Sequence, residues 1–382
     1  ERHLLQAVER QLPGRAAAAI LLSGGIDAMY LAALLARHFG VRTAAFTYRY
    51  ADYEGEFNET ARARATAEHL GLEHHEMIVG PADIAANLEA MLIAHSGPLS
   101  YGAHSAILRD VAASGAQILY SGFEPDAPYS SAAEMLGQWL RSVPLPHAAI
   151  ARGVERGFGT RRRWANFLAY AERVAATGLV WRFHAPLTPD PIRESLYVDR
   201  ALSERAKQAA ARLFGEVVAE FSTENAVVRI AGPLTALYQS EGSSRWSSCF
   251  GRAHGLLPRS PFQDNDYVDL LLRMPRSGHK REIRELAAKL LPRDLAFAPK
   301  VAQTLPIAHW LRGPMSEFIT AQLSAPRIAE GGLFRHEVIM DLLRRHREGP
   351  VSHAWTLWNV LVLTLWQEIV RREAGRLCQR RV

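Results

Sequence analysis

In the first 125 or so residues, short apolar runs alternate with longer segments whose apolar positions recur at helical spacing. Alternation of strand-like and helix-like segments is typical of βαβ units and predicts a parallel, doubly wound sheet. The first two predicted helices each end at a glycine, Gly40 and Gly71, which suits the left-handed residue that closes a helix. The predicted strands are 16–22, 42–48, 74–79 and 117–120, and the predicted helices are 28–39, 58–70, 84–94 and 105–114.

Beyond about residue 130 the pattern changes to long segments rich in Ala, Leu, Arg and Glu, separated by joints that contain proline or glycine. We therefore divide the chain into an α/β core at 1–140 and a mostly helical half at 141–382. Helices are predicted at 166–177, 203–221, 267–274, 280–290, 337–347 and 355–373, with joints at 143–146, 186–191 and 256–261.

The composition is that of an ordinary globular protein, with 48% hydrophobic and 22% charged residues. No apolar run reaches the roughly 18 residues of a membrane span, and the two cysteines lack metal-ligand spacing, so we expect a cytoplasmic protein. The net charge is +6, but the basic clusters lack interleaved aromatic residues, which disfavours a nucleic-acid partner. Only four of the 45 basic residues are lysines: Lys207, Lys280, Lys289 and Lys300.

The first predicted strand ends in Ser23-Gly24-Gly25, and Asp27 follows at the start of a predicted helix. Glycines without Cβ let a ligand approach the backbone, and the N–H groups of such a turn bind anions, so this turn suits phosphate. Asp27 suits a Mg²⁺ ligand better than a direct phosphate contact, because like charges repel. An ordinary βα turn, with Asp27 as a favourable first-turn charge, is the alternative.

The stretch LLSGGIDAMYLAALLARHFG resembles the PP-loop of ATP pyrophosphatases, and the chain is similar to the C-terminal synthetase domain of glutamine-dependent asparagine synthetases. Five further segments match in family order: FNETARARATAEHLGLEHHEMIV, ILYSG, RSPFQDNDYVDLLLRMP, KREIRELAAKLLPRDLAFAPKVAQTLPIAHWLRG and LWNVLVLTLW. The resemblance implies a PP-loop (HUP-like, adenine nucleotide alpha hydrolase-like) fold. It also implies a reaction in which ATP adenylates a carboxylate, pyrophosphate leaves, and an amine then displaces AMP.

The resemblance also implies an ATP and Mg²⁺ site drawn from both halves of the chain. Backbone groups of the glycine turn would hold phosphates and ribose, Tyr48 would present its backbone to adenine, and the end of the fourth strand would close over the nucleotide. The implied ATP-binding residues are Leu22, Ser23, Gly24, Gly25, Asp27, Ala28, Tyr48, Ser121 and Gly122. The implied metal ligands are Asp27 and Asp126, and Lys300 would neutralise charge on the α-phosphate. His74 and His75 match a family strand and are interpreted as structural.

Several positions depart from the family pattern. Ala28 replaces a serine whose hydroxyl would donate to pyrophosphate, a bond worth roughly 1.5–3 kcal/mol. In the second motif, Phe123 replaces a glutamate that lies near the aspartyl substrate, which argues against plain aspartate; Glu124 is the candidate for a shifted carboxylate. The arginine expected before Lys300 is absent.

A glutaminase domain with its nucleophilic cysteine, expected at the start of such a chain, has no counterpart in the sequence. We therefore expect ammonia, a separate glutaminase or partner protein, or the substrate's own amine to supply nitrogen. β-Lactam synthetases and lasso-peptide cyclases are relatives that use an internal amine, so the leading hypothesis is an amide-forming ligase of a specialised biosynthetic pathway. A degenerate nucleotide-binding or scaffold relative and a PP-loop enzyme acting on tRNA stay open, as does the oligomeric state.

Overall fold

The computed structural model describes residues 1–53, 59–98, 105–122, 195–220, 244–274, 280–299 and 305–379. Within these ranges five strands form one sheet: β1 (Ala18–Leu21), β2 (Thr43–Tyr50), β3 (His74–Val79), β4 (Ile118–Ser121) and β5 (Leu257–Arg259). Their order is β3-β2-β1-β4-β5, and every neighbouring pair is parallel. The predicted doubly wound parallel sheet is confirmed.

Helices flank this sheet and dominate the second half of the described chain. They are α1 (Arg2–Glu9), α2 (Ile26–Ala33), α3 (Thr60–Leu70), α4 (Pro81–His95), α5 (Ser105–Ala113), α6 (Arg200–Glu220), α7 (Ser244–Ala253), α8 (Asn265–Arg273), α9 (Arg281–Ala287), α10 (Arg293–Ala296), α11 (Ile307–Arg312), α12 (Ser316–Gln322), α13 (Ala325–Gly331), α14 (His336–Glu348) and α15 (Ala354–Gln379). A π-helical turn, Leu34–His38, extends α2. None of the described helices combines the length and apolar character that a membrane crossing requires. The helix predicted at 166–177 lies outside the described residues.

Alternation of side chains along the strands divides the hydrophobic core into two layers, one on each face of the sheet. Ala19 and Leu21 of β1 belong to the layer formed with α4, α5, α7 and α11–α15. Ala18 and Ile20 belong to the layer formed with α1, α2, α3, α8 and α9. All four residues of β1 are buried, as expected of a central strand covered on both faces.

The fifth strand corrects one expectation from the sequence. Residues 256–261 were predicted to be a joint, but Leu257–Arg259 pairs with β4, with Pro258 opposite Leu119. Proline has no N–H to donate to a ladder, so sheets accept it at an edge, and β5 is the edge of the described sheet. The second half of the chain therefore contributes a strand to the α/β sheet.

The strand order brings the carboxyl ends of β1 and β4 side by side, next to the middle of β2. Leu21, the last residue of β1, aligns with Phe46 on one side and with Ser121 on the other. In open α/β sheets, ligands bind outside the carboxyl ends of strands where the winding direction reverses, and β1 lies at that point. The glycine turn that follows β1 is therefore at the expected ligand position.

Candidate active site

A cleft at the carboxyl ends of β1 and β4, beside the middle of β2, contains most of the site residues predicted from the sequence. The space at this cleft amounts to about 470 Å³ when the solvent at its open side is included. Its lining consists of Leu21, Leu22, Ser23, Gly25, Asp27, Ala28, Phe46, Thr47, Tyr48, Ser121 and Gly122. The predicted residues Phe123, Glu124, Asp126 and Lys300 lie outside the described residues, so their assignments stay predictions.

Two glycines at this cleft are required by close packing of the backbone. Gly24 has a φ of +61°, and a Cβ added there would lie 2.5 Å from the carbonyl oxygen of Glu59. A Cβ added at Gly122 would lie 2.5 Å from the backbone nitrogen of Ala28. The glycine turn therefore packs directly on the start of α3, and the end of β4 packs on the first turn of α2.

The N-terminus of α2 faces this cleft without a side chain on its capping residue. Gly25 is the N-cap, with φ −78° and ψ 145°, and its N–H donates to Ser23 Oγ at 3.3 Å. The first turn carries one acidic residue, Asp27. Because a helix N-terminus carries partial positive charge, this end of α2 suits a phosphate or another anion.

Leu22 is bound to strand β2 one residue beyond the end of β1. Its N–H donates to the carbonyl of Phe46 at 2.9 Å, and its carbonyl accepts a hydrogen bond of 2.6 Å from the Thr47 hydroxyl. The N–H of Leu22 is thus already used by the fold. Among the backbone donors that the family resemblance implies, the N–H of Gly25 also has a partner, Ser23 Oγ, so those of Ser23 and Gly24 are the better candidates for a phosphate contact.

A buried ion pair joins α2, the helix that follows the glycine turn, to the second half of the chain. The Lys280 ammonium donates to the Asp27 carboxylate, and the two side chains are 9% and 15% exposed. Lys280 directly precedes α9, which packs against α2, and its φ of +55° is uncommon for a residue with a Cβ. Lys280 is not among the site residues predicted from the sequence, although the small number of lysines in the chain was a signal that could have identified it.

Pro299, the residue before Lys300, is hydrogen-bonded to a helix that packs against the glycine turn. Arg62 of α3 donates from Nη1 to the carbonyl of Pro299 at 2.7 Å. The Cβ of Arg62 lies 3.1 Å from the position that a Cβ on Gly24 would take. Arg62 therefore connects the turn with the segment that leads to Lys300.

A second arginine holds the same segment from inside the helical half. Arg284 Nη1 donates to the carbonyls of Ala296 and Ala298, at 2.8 Å each. The sequence has Ala298 and Pro299 where the family pattern leads to an arginine before the lysine. The guanidinium groups of Arg62 in α3 and Arg284 in α9 hold the backbone of this segment through hydrogen bonds.

Comparison with known proteins agrees with this architecture. The family model for asparagine synthase matches residues 1–122 and 250–368, which include the lining of the cleft and both partners of the Asp27–Lys280 pair. The chain belongs to the asparagine synthase family. Residues of α9 and of the segment leading to Lys300 lie within the second matched region, whereas the lining of the cleft lies within the first.

Curated relatives in this family resemble the chain at low identity. A putative glutamine-hydrolyzing asparagine synthetase of Mycobacterium tuberculosis (strain ATCC 25618 / H37Rv) is 25% identical over 383 aligned residues, which cover 91% of this chain and 54% of the relative. One of Mycobacterium bovis matches equally. Glutamine-hydrolyzing asparagine synthetase 1 of Bacillus subtilis (strain 168) is 24% identical over 123 residues, 31% of this chain and 19% of the relative. The chain spans about half the length of its mycobacterial relatives.

The donor groups at the cleft fit a nucleotide and magnesium, the ligands expected for an asparagine synthase. Backbone donors and a helix N-terminus suit phosphates, and the Asp27 carboxylate is a hard oxygen donor of the kind that Mg²⁺ prefers. Among the described residues, no three His, Cys, Asp or Glu side chains group as metal ligands.

Proposed function

We propose that the chain is the synthetase part of an ATP- and Mg²⁺-dependent amide-forming ligase of asparagine synthetase type. The observation that carries this proposal is the cleft where the glycine turn, the N-terminus of α2 and the Asp27–Lys280 pair converge. In the proposed reaction a substrate carboxylate attacks the α-phosphate of ATP, which forms an acyl-adenylate and releases pyrophosphate. An amine then attacks the acyl carbon, the amide forms, and AMP leaves.

The chain's own groups in this reaction bind and neutralise the phosphates. The turn Ser23–Gly25 and the first turn of α2 receive the β- and γ-phosphates through backbone N–H groups. Asp27 and Asp126 would hold a magnesium ion, which would supply charge neutralisation at these phosphates. Lys280 adds a second cation beside Asp27, at the place where the charge of the departing pyrophosphate develops.

Lys300 is assigned to the α-phosphate, where a fixed cation stabilises the charge that develops during adenylation and amide formation. The bond from Arg62 to the carbonyl of Pro299 supports this assignment, because it attaches the preceding residue to the helix behind the glycine turn. Phe123, in the place of the family's glutamate, favours a carboxylate other than plain aspartate. Ammonia, a separate glutaminase or an internal amine of the substrate supplies the nitrogen.

Carboxylate-dependent release of pyrophosphate tests the proposal. Purified protein is incubated with ATP and Mg²⁺ and with a panel of amino acids, N-acyl amino acids and short peptides, with hydroxylamine present to trap acyl-adenylates as hydroxamates. We expect one class of carboxylate to give equal amounts of pyrophosphate and AMP. Asp27→Asn should abolish this release, whereas Asp83→Asn should not, although Asp83 is likewise the acidic residue in the first turn of its helix.

A non-catalytic relative that binds nucleotide is the second candidate, and Ala28 is the observation that favours it. The lost serine hydroxyl removes a donor worth roughly 1.5–3 kcal/mol toward pyrophosphate. Calorimetry with ATP and Mg²⁺ separates the two candidates. Binding of ATP without any carboxylate-dependent pyrophosphate would favour the non-catalytic relative, and absence of ATP binding would refute the ligase.

A further inference from the structure

Thr47 and His74 connect the glycine turn to the third strand of the sheet. Thr47 is 2% exposed, and its hydroxyl lies 2.6 Å from the carbonyl oxygen of Leu22 and 2.8 Å from Nε2 of His74. A hydroxyl has one proton, and a carbonyl can only accept, so the Thr47 proton goes to Leu22. The second contact therefore requires His74 to donate from Nε2, and a directed chain of hydrogen bonds runs from His74 through Thr47 to Leu22.

This chain of bonds sets the orientation of the peptide that joins Leu22 to Ser23. A trans peptide is planar, so the carbonyl of Leu22 and the N–H of Ser23 point in opposite directions. The carbonyl of Leu22 points toward β2, and β1 lies between β2 and β4. The N–H of Ser23 therefore points toward β4, on the side where Ser121 and Gly122 line the cleft.

We propose that His74 is a positioning residue for phosphate binding, because it holds the Thr47 hydroxyl so that the Ser23 amide is directed into the cleft. This inference rests on the proposed nucleotide function of the cleft and extends it to a residue two strands away. His74 is not part of the cleft lining, so it acts through Thr47 rather than by touching the ligand.

The surroundings of His74 keep the required donor in place. Burial lowers the pKa of His74, because desolvation disfavours the imidazolium; Glu76 and Glu68 oppose this effect, while Arg64 and His75 add to it. The Glu76 carboxylate lies 3.9 Å from Nδ1 and accepts a bond of 2.6 Å from Arg64. The neutral ring with its proton on Nε2 and the protonated ring both donate to Thr47, so the positioning effect does not depend on titration.

Two pairs of variants isolate the hydrogen-bond chain. His74→Gln keeps an N–H donor near the position of Nε2, whereas His74→Leu removes it. Thr47→Ser keeps the hydroxyl, whereas Thr47→Val removes it with little change in shape. His69→Gln is the matched control, because His69 also contacts a backbone carbonyl, that of Leu290 at 3.1 Å, but on the exposed surface of α3.

Two measurements are made on each full-length variant. Amide hydrogen exchange of the glycine-turn peptide, followed by mass spectrometry without ligand, reports whether the turn is held. Calorimetry with Mg²⁺ and inorganic pyrophosphate, and separately with adenosine, reports whether phosphate contacts are affected selectively. Adenosine has no phosphate and serves as the internal reference for a general loosening of the cleft.

His74→Leu and Thr47→Val should speed exchange at the turn and weaken pyrophosphate binding about tenfold, the size of one bond to a charged group, with adenosine binding unchanged. His74→Gln, Thr47→Ser and His69→Gln should behave like the parent. Unchanged exchange in His74→Leu, or equal weakening of pyrophosphate and adenosine, would overturn the proposal. If the parent protein binds neither pyrophosphate nor ATP, the proposed function is overturned, and the role of His74 in phosphate binding is overturned with it. Faster exchange in His74→Leu would then still support the hydrogen-bond chain itself.

Discussion

Removal of one partner of the Asp27–Lys280 pair should cost far more stability than removal of both charges. The two side chains are only 15% and 9% exposed, so water compensates poorly for a charge that loses this ion-pair partner. Breaking a buried pair costs about 3–5 kcal/mol, whereas replacing both charges with groups of similar size is about neutral. We expect Lys280→Met to lower the free energy of unfolding by about 3 kcal/mol, and the additional change Asp27→Asn to recover most of that loss.

Chemical unfolding followed by tryptophan fluorescence, with a chelator and without nucleotide, measures this coupling. The pair between Lys289 and Glu1 is the control, since its nitrogen and oxygen are 2.8 Å apart but its side chains are 58% and 47% exposed. Lys289→Met should change the free energy of unfolding by less than about 1 kcal/mol. Two results would show that the pair holds no buried charge. In the first, Lys280→Met lowers the free energy of unfolding no more than Lys289→Met does. In the second, the effects of Lys280→Met and Asp27→Asn on that free energy simply add in the double variant. The role assigned to Lys280 at the phosphates would then lose its basis.

Three further outcomes are expected. Gly122→Ala should weaken ATP binding in calorimetry, because the new Cβ meets the backbone of Ala28 at 2.5 Å and would displace the first turn of α2 at the cleft; the same overpacking should cost about 1–3 kcal/mol of unfolding free energy. Gly215→Ala, whose Cβ meets open space, should do neither. Ala28→Ser should strengthen pyrophosphate binding about tenfold by restoring one hydroxyl donor, and a loss of affinity would show that no space exists for the hydroxyl. Burial lowers the pKa of His346 from 6.5 to about 4. Its protonation therefore favours the unfolded state, and the stability that the neutral ring contributes above pH 6.5 should be lost as the pH falls toward 4. Unfolding of His346→Gln across this range should show a weaker pH dependence than the parent; an equal dependence would contradict the assignment.

Elements with local signals could be predicted from the sequence, and elements set by tertiary pairing could not. The third strand was predicted at 74–79 and is His74–Val79, and Gly71 closes α3 with a φ of +67° as expected. Apolar spacing and glycine caps are properties of consecutive residues, so they are visible before the chain folds. The strand Leu257–Arg259 exists because it pairs with β4, and three residues that include a proline carry no such signal.

The same distinction applies to the candidate site. The glycine turn was predictable because its chemistry lies in a few adjacent residues around Gly24. The contact of Lys280 with Asp27 joins positions 253 residues apart, and that of His74 with Thr47 joins neighbouring strands. Neither pairing leaves a motif in the sequence, since each depends on how α9 and β3 pack against the core.

The Asp27–Lys280 pair helps to decide between a working enzyme and a non-catalytic relative. The glycines do not decide this question, because Gly24 and Gly122 are required by packing against neighbouring backbone whatever the cleft binds. A buried ion pair is different, since an apolar pair of similar size would stabilise the fold at least as well. Fold stability therefore does not explain these two opposed charges, one of which, Asp27, lines the cleft. Their presence favours a functional phosphate site despite the missing hydroxyl at Ala28.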